Sequence, residues 1–171
     1  MKTFTILGAG WLGLELAKVL KSTYKIKVTS RNEEKLKMYE EEGFSSYILN
    51  ENNLNFLDEL LETNYLFINF PPSKFDDYLG FLDKIYCHKK IKNIEKIIFI
   101  SSTSIYPDIE GFFNEDFEIN SSSSKIVYDA EKLIENRSDI IFRVSALVGA
   151  NRISGRRFSA KLVEYPKIKI N

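Results

Sequence analysis

The stretch ILGAGWLG at residues 6–13 determines how the rest of this sequence is interpreted. Its three glycines follow the spacing GxGxxG, between a short apolar segment and a segment with helical periodicity. In that setting the first glycine permits a tight turn, the second lets the backbone approach a pyrophosphate, and the third lets a helix pack closely on a strand. We therefore predict a phosphate-binding turn at a helix N-terminus, with an ordinary strand-to-helix turn as the alternative. The residues predicted to contact a dinucleotide here are Gly8, Gly10, Trp11, Leu12 and Gly13.

Beyond this turn, apolar segments of strand length alternate with segments of helical periodicity. Short and nearly continuous apolar strands separated by helices are typical of a parallel sheet that is covered on both faces. Right-handed crossovers then favour a doubly wound α/β sheet in the strand order 3-2-1-4-5-6. We predict this Rossmann dinucleotide-binding domain for residues 1–150. The six predicted strands span residues 3–7, 24–30, 45–50, 65–70, 95–102 and 139–147.

Two of the predicted helices have particular features. In the first, residues 11–21, apolar side chains recur with the helical period, so we expect one buried face. A longer helix is predicted across residues 73–90, after the prolines that end the fourth strand. The expected buried face of the first helix consists of Leu12, Leu16, Val19 and Leu20.

The composition fits one globular domain, because 171 residues are too few for two ordinary domains and 44% of them are apolar. The 24 basic and 24 acidic residues cancel, which gives no electrostatic reason to expect nucleic acid or an anionic membrane as a partner. The single Cys87 is typical of a reducing cytosol, and the single His88 argues against a metal site. No apolar run approaches the roughly 18 residues of a membrane span. We expect a cytoplasmic protein, with a homodimer as an assembly to consider.

The end of the second predicted strand, VTSRNEEKL at residues 28–36, bears on the choice of dinucleotide. An acidic residue at this place accepts hydrogen bonds from ribose hydroxyls and repels a 2′-phosphate. Ser30 and Arg31 stand there instead, and a guanidinium supplies a permanent charge and a fork of donors for phosphate. We therefore predict NADP as the preferred cofactor, with NAD as the alternative. In that alternative Arg31 stacks on adenine, and the protein accepts either dinucleotide.

Tyr128 and Lys132 are candidates for catalysis, because the sequence YDAEK places them four residues apart on one face of a predicted helix. A neighbouring ammonium and an oxidised nicotinamide stabilise a phenolate, which brings the pKa of the tyrosine toward neutral pH. The same spacing occurs at Tyr86 and Lys90, where we expect a helix residue near the surface. Spacing alone therefore does not identify the catalytic tyrosine.

A cluster of hydroxyl residues, FISSTSIYPD at residues 99–108, precedes Tyr128 and distinguishes it from Tyr86. The cluster lies at the carboxyl end of a buried predicted strand, where open α/β sheets place their ligands. The cluster is therefore predicted to lie beside the ligand, and Ser101 to contact the cofactor. The alternative for Tyr128 is a half-buried aromatic residue without a catalytic role.

In this order, the glycine turn, FISSTSIY, YDAEK and IIFRVSALVGANR resemble the extended and atypical branches of the short-chain dehydrogenase/reductase superfamily. The sequence is most similar to NAD-dependent epimerase/dehydratase proteins, and the resemblance covers nearly the whole chain. It implies that Ser102 orients a substrate carbonyl, that Tyr128 transfers a proton, and that Lys132 assists it and holds the nicotinamide ribose. The segment INFPP matches a cofactor-lining stretch of that family. The contacts it implies are Asn69, Phe70 and Pro71.

The resemblance implies an NAD(P)-dependent oxidoreductase or epimerase that acts on a carbonyl, alcohol or sugar-nucleotide substrate. The alternative is a dinucleotide-binding module without turnover, either truncated or a sensor of redox state. The chain departs from the extended members in its shorter glycine spacing and in its length, since they run well beyond 171 residues. We expect residues 151–171 to begin a substrate-binding part that the chain does not complete, or else to contact an anionic partner. The segment is basic, because it contains a single acidic residue, Glu164, and six basic ones: Arg152, Arg156, Arg157, Lys161, Lys167 and Lys169.

Overall fold

The computed structural model describes residues 1–149. Its strands are β1 (Thr3–Leu7), β2 (Lys25–Ser30), β3 (Ser45–Ile48), β4 (Tyr65–Ile68), β5 (Lys96–Ser102) and β6 (Ile140–Val144). They form one parallel sheet in the order β3-β2-β1-β4-β5-β6, which confirms the predicted doubly wound α/β fold. The predicted basic segment 151–171, and Ala150 at the end of the predicted domain, lie outside the described residues.

Five helices of the described part connect these strands, and none of them is long and apolar enough to cross a membrane. They alternate with the strands along the chain, as right-handed crossovers between parallel strands require. The helices are α1 (Trp11–Leu20), α2 (Glu34–Glu41), α3 (Leu57–Leu60), α4 (Tyr78–Tyr86) and α5 (Lys125–Ile134).

The sheet separates two hydrophobic cores, because successive side chains of a strand point to opposite faces. In β1, Phe4 and Ile6 join the core that α1 and α2 cover, whereas Leu7 joins the core under α3, α4 and α5. All three side chains are buried. Burial on both faces explains why the central strands appear in the sequence as continuous apolar runs.

The first helix buries the predicted face only in part. Val19 is 74% exposed, and the three leucines of the predicted face are only partly buried. The buried residues of α1 are the small Gly13 and Ala17. A Cβ atom on Gly13 would lie 2.9 Å from Ile6 Cγ2, closer than carbon atoms pack, so the glycine lets α1 lie directly on β1. The period of the large apolar side chains could not reveal a face built from small residues.

The helix predicted after the fourth strand is also shorter, because α4 begins only after Asp77. The Asp77 carboxylate accepts a hydrogen bond of 2.9 Å from the Gly80 amide and so caps the first turn. At the other end of α4, Tyr86 is 4% exposed, so the prediction that it lies near the surface is wrong. Its hydroxyl lies 2.7 Å from Ser138 Oγ, in the region where α4 packs against α5.

Candidate functional site

A cleft of about 680 Å³ opens at the carboxyl edge of the sheet, and we call it the main cleft. It lies where the strand order reverses: β1 pairs with β2 on one side and with β4 on the other. Open α/β sheets bind their ligands at this switch point. Of the predicted site residues, those that line the main cleft are Gly10, Trp11, Leu12, Asn69, Phe70, Pro71, Ser101 and Ser102.

Gly8 forms the tight turn that brings the chain from β1 into α1. Its φ of +85° lies in the left-handed region, and a Cβ atom there would lie only 2.6 Å from the Asn69 carbonyl oxygen. The Gly8 amide donates a 2.8 Å hydrogen bond to Thr29 Oγ1, and the Asn69 side-chain amide donates one of 3.2 Å to the Gly8 carbonyl. The strands on both sides of β1 therefore hold this turn in place.

Gly10 differs from Gly8, because none of the described residues crowds it. No atom lies within 4 Å of the place where its Cβ would be, and the residue is exposed at the edge of the main cleft. It is the N-cap of α1 and supplies no side-chain cap, and the first turn of the helix has no acidic residue. The positive end of the α1 dipole is thus directed at the cleft, and the first turn of the helix contributes no carboxylate that would neutralise it.

Thr29 and Tyr39 also support the turn, and sequence reasoning missed both. Thr29 is 1% exposed, and its carbonyl oxygen accepts a 2.9 Å hydrogen bond from the Ala9 amide. The Tyr39 hydroxyl donates a hydrogen bond to the Ala9 carbonyl, and burial raises the pKa of this phenol, so it remains a donor at neutral pH. Thr29 is a polar residue inside an apolar strand, and this feature of the sequence could have indicated its role in the turn.

Ser30 and Arg31 do not line the main cleft. Ser30 Oγ accepts a 3.0 Å hydrogen bond from the Asn32 amide. The Arg31 guanidinium donates a 2.6 Å hydrogen bond to the Lys74 carbonyl and lies 5.5 Å from the centre of the Phe75 ring. Arg31 lines a separate depression of about 320 Å³, the Arg31 depression. Its other lining residues are Asn50, Glu51, Asn52, Lys74, Phe75 and Asp76.

The three predicted catalytic residues line two different cavities. Ser102 lines the main cleft, whereas Tyr128 and Lys132 line another cavity of about 980 Å³, which we call the outer cavity. Helix α5 places Val127 and Ala130 at the main cleft. Tyr128 follows Val127 by one position and Lys132 follows Ala130 by two, so both side chains leave the helix in another direction. Tyr128 and Lys132 do share a face, as predicted, since the Lys132 ammonium lies 5.8 Å from the Tyr128 ring centre.

The main cleft offers hydrogen-bonding groups rather than acids or bases. Among its described lining residues, only Tyr78 carries a side chain that ionises as a phenol, carboxyl or ammonium group. Burial raises the pKa of Tyr78 well above its ordinary value, and its hydroxyl donates a 3.1 Å hydrogen bond to the Phe70 carbonyl. The cleft is therefore suited to holding a polar ligand, and its described part contains no group that titrates near neutral pH. Its lining hydroxyl residues are Ser73, Ser101, Ser102, Ser104, Ser124 and Ser145.

A buried ion pair lies behind the cleft, between α5 and β6. Glu131 is 6% exposed, and its carboxylate accepts hydrogen bonds from Arg143 Nη2 at 2.9 Å and from Arg143 Nε at 3.2 Å. The Ser101 hydroxyl also donates to this carboxylate. The bond to Glu131 raises the pKa of the Arg143 guanidinium further above its already high value. Sequence reasoning missed Glu131, although a carboxylate on the apolar face that Val127 also occupies was a visible signal.

Comparisons with known proteins agree with this architecture. No family model matches the chain. Protein YeeZ of Escherichia coli K12 is 28% identical in an alignment of 176 positions, which covers 94% of this chain and 64% of YeeZ. The chain thus spans somewhat less than two thirds of the length of this curated relative.

Several solved structures with a similar fold are epimerase/dehydratase-like proteins, as the sequence resemblance implied, and two of them serve as examples. One is a Methylobacillus flagellatus protein assigned to the NAD-dependent epimerases/dehydratases, with a TM-score of 0.73 and 21% identity over 96% of this chain and 62% of that one. The other is UDP-glucuronic acid 4-epimerase of Bacillus cereus in complex with NAD, with a TM-score of 0.65 and 19% identity over 95% of this chain and 61% of that one. At these identities the likeness shows the fold.

Proposed function

We propose that this chain is a nicotinamide dinucleotide-binding protein of the epimerase/dehydratase type. The observation that carries the proposal is the uncapped N-terminus of α1, which opens through Gly10 into the main cleft at the switch point of the sheet. A volume of about 680 Å³ is in the range of small-molecule sites. The complex of the Bacillus cereus epimerase with NAD supports the choice of ligand.

The strand order gives the direction in which the dinucleotide would lie. With its pyrophosphate on the amides at the start of α1, one half would extend over β2 and β3 toward Arg31, and the other over β4, β5 and β6. The adenine half belongs on the β2 side, because ribose recognition occurs at the end of the second strand in this fold. The nicotinamide half then occupies the main cleft near Ser101 and Ser102.

We also propose NADP as the preferred form, with Arg31 as the partner of the 2′-phosphate. Arg31→Asp is expected to lower the affinity for NADP by roughly ten- to a hundredfold more than the affinity for NAD, because it exchanges a charged donor for a repelling carboxylate. Isothermal titration of each variant with both dinucleotides measures this. Lys35→Asp, a matched charge change at an exposed position of α2, is the control and should affect neither affinity. Equal losses for NADP and NAD in Arg31→Asp would remove the phosphate role.

Whether the protein also turns over a substrate separates the two sequence hypotheses. Catalysis by Ser102, Tyr128 and Lys132 on a carbonyl, alcohol or sugar-nucleotide substrate stays a prediction. The geometry of the described residues favours the other hypothesis, dinucleotide binding without proton transfer by Tyr128, because that phenol lines the outer cavity and the main cleft holds hydroxyl groups. The chain covers only 64% of YeeZ, so this hypothesis concerns the chain itself and not the activity of a protein as long as YeeZ.

Tyr128→Phe tests this difference. We expect its dinucleotide affinity to stay within about twofold of the wild type, because the variant deletes one hydroxyl that lies outside the main cleft. Tyr86→Phe, on the packed face of α4, is the matched control. A loss of carbonyl turnover in Tyr128→Phe alone, at unchanged affinity, would establish the enzymatic hypothesis. A clear loss of affinity would show that the Tyr128 phenol reaches the ligand.

A further inference from the structure

The buried ion pair between Glu131 and Arg143 reaches the main cleft through one side chain, Ser101. Ser101 lies near the end of β5, is 7% exposed and lines the cleft. Its Oγ donates a hydrogen bond to Glu131 Oε1. Arg143 donates to both oxygens of the same carboxylate: Nη2 to Oε2 at 2.9 Å, and Nε to Oε1 and Oε2 at 3.2 Å each. On its far side Arg143 donates a 3.1 Å hydrogen bond to the Tyr106 hydroxyl.

The direction of the Ser101 hydrogen bond follows from this arrangement. A guanidinium is always protonated in proteins and only donates, so every hydrogen bond between Arg143 and Glu131 runs from an arginine nitrogen to a carboxylate oxygen. A carboxylate only accepts, so the Ser101 proton is committed to Glu131. The Ser101 oxygen can then act toward the cleft only as an acceptor. The other hydroxyls of the cleft are not fixed in this way by a buried charge: Ser102 Oγ, for example, accepts from Ser104 and keeps its own proton available.

We propose that Ser101 accepts a hydrogen bond from the carboxamide NH₂ of the nicotinamide, and that Glu131 is the positioning residue that fixes this polarity. The inference rests on the proposed function, which puts the nicotinamide half over β5. Phosphate groups have no hydrogen to donate at neutral pH, and a ribose hydroxyl both donates and accepts, so a fixed acceptor does not discriminate among its orientations. A carboxamide has a donor on one side and an acceptor on the other. A fixed acceptor therefore selects the rotamer in which the NH₂ group of the carboxamide faces Ser101.

Ser101→Ala tests the contact against a panel of four ligands. The panel consists of NAD, its 3-acetylpyridine analogue, which lacks the NH₂ group, ADP-ribose, which lacks the ring, and ADP. The wild type should bind NAD about tenfold more tightly than the acetylpyridine analogue, and Ser101→Ala should lose about tenfold for NAD and less than about twofold for the other three. Ser101→Thr keeps the hydroxyl and should restore the preference for NAD. Equal losses for NAD and the analogue, or no loss at all, would overturn the contact.

Glu131→Gln tests the positioning role with a readout that a structural role would not move. Oε2 accepts from two nitrogens of Arg143, whereas Oε1 accepts from one of them and from Ser101. Because Arg143 only donates, the amide oxygen of the glutamine should take the Oε2 position, and its NH₂ group the Oε1 position beside Ser101. Ser101 then accepts from the glutamine and turns its own proton toward the cleft. The ratio of the two dissociation constants, acetylpyridine analogue over NAD, should fall from about ten toward one. Glu135→Gln, an exposed position of the same helical surface, is the control and should leave the ratio unchanged.

The outcomes separate this inference from the function on which it rests. A ratio that stays at the wild-type value in a folded Glu131→Gln protein overturns the role of Glu131, and thermal unfolding shows whether the variant is folded. If Ser101→Ala does not fold, the Glu131→Gln ratio alone decides. Failure of the wild type to bind any of the four ligands would overturn the proposed function and this inference together. Binding without discrimination between NAD and its analogue would overturn the inference alone.

Discussion

Gly10→Asp is expected to abolish dinucleotide binding and leave the fold intact. Among residues 1–149, no atom lies within 4 Å of a Cβ at this position, so the substitution meets no steric obstacle from them. An aspartate at the N-cap of α1 can accept hydrogen bonds from the first turn, which typically stabilises a helix by about 0.5–2 kcal/mol. The same carboxylate would occupy the proposed pyrophosphate position and repel it. The midpoint of thermal unfolding should therefore stay or rise, while the dissociation constant rises more than about a hundredfold, a loss of roughly 3 kcal/mol.

Gly10→Ala is the matched control for this charge effect. Its methyl group also meets no protein atom, so stability should again be unchanged. The methyl group keeps a phosphate further from the backbone of residue 10 without adding charge. We therefore expect the affinity for the dinucleotide to fall roughly tenfold. Full affinity in Gly10→Asp would contradict the placement of the pyrophosphate at α1, whereas loss of affinity through unfolding would contradict the geometry of the turn.

Gly8→Ala should have the largest effect on stability. The residue has a φ of +85°, and an added Cβ would lie 2.6 Å from the Asn69 carbonyl oxygen and 2.9 Å from Phe70 Cδ1. The left-handed conformation costs about 1–2 kcal/mol for a residue with a Cβ, and relief of a tight overlap costs about 1–3 kcal/mol. We expect the free energy of unfolding to fall by about 3 kcal/mol, measured by urea denaturation. Dinucleotide affinity should fall as well, because β1 and β4 can relieve the overlap only by moving apart at the cleft.

Gly43→Ala is the control that separates the steric overlap at Gly8 from the cost of the left-handed backbone. Gly43 has nearly the same φ, +88°, but no atom lies within 4 Å of its Cβ position. The alanine there should cost only the conformational strain, about 1 kcal/mol, and should not change ligand affinity. Equal losses of stability in the two variants would show that the close contact between the turn and Asn69 does not contribute.

The fold could be predicted because its signals are local. The glycine spacing places a tight turn between β1 and α1, and buried parallel strands appear as apolar runs between helices. The strand order then follows from the handedness of the crossovers. The two fully buried residues of α1, Gly13 and Ala17, escaped prediction because they pack by being small, and a hydrophobic period detects only large side chains.

The candidate site could be predicted only in part, because side-chain direction depends on tertiary packing. Spacing showed that Tyr128 and Lys132 share a face of α5, but not that this face is directed to the outer cavity. The residues that α5 buries, among them Val127, Ala130 and Ile134, fix that rotation. They form an apolar stripe that could have oriented the helix in advance.

Contacts between distant segments were beyond sequence reasoning altogether. The Arg31 guanidinium lies against the Phe75 ring and the Lys74 carbonyl, more than forty residues away along the chain. Nothing in the pattern around either segment indicates that they meet. They do so because β1 and β4 are neighbours, which brings the loop after β4 toward the end of β2.

The central claim, dinucleotide binding in the main cleft, can be tested with one intrinsic probe. Trp11 is the single tryptophan of the chain and lines the cleft at the start of α1. Reduced nicotinamide absorbs where tryptophan emits, so NADPH bound in the cleft should quench Trp11 fluorescence along a saturable curve with a stoichiometry of one. Excess NADP should reverse the quenching, and Gly10→Asp should abolish it. Emission that NADPH changes no more than it changes free tryptophan in solution would contradict the claim.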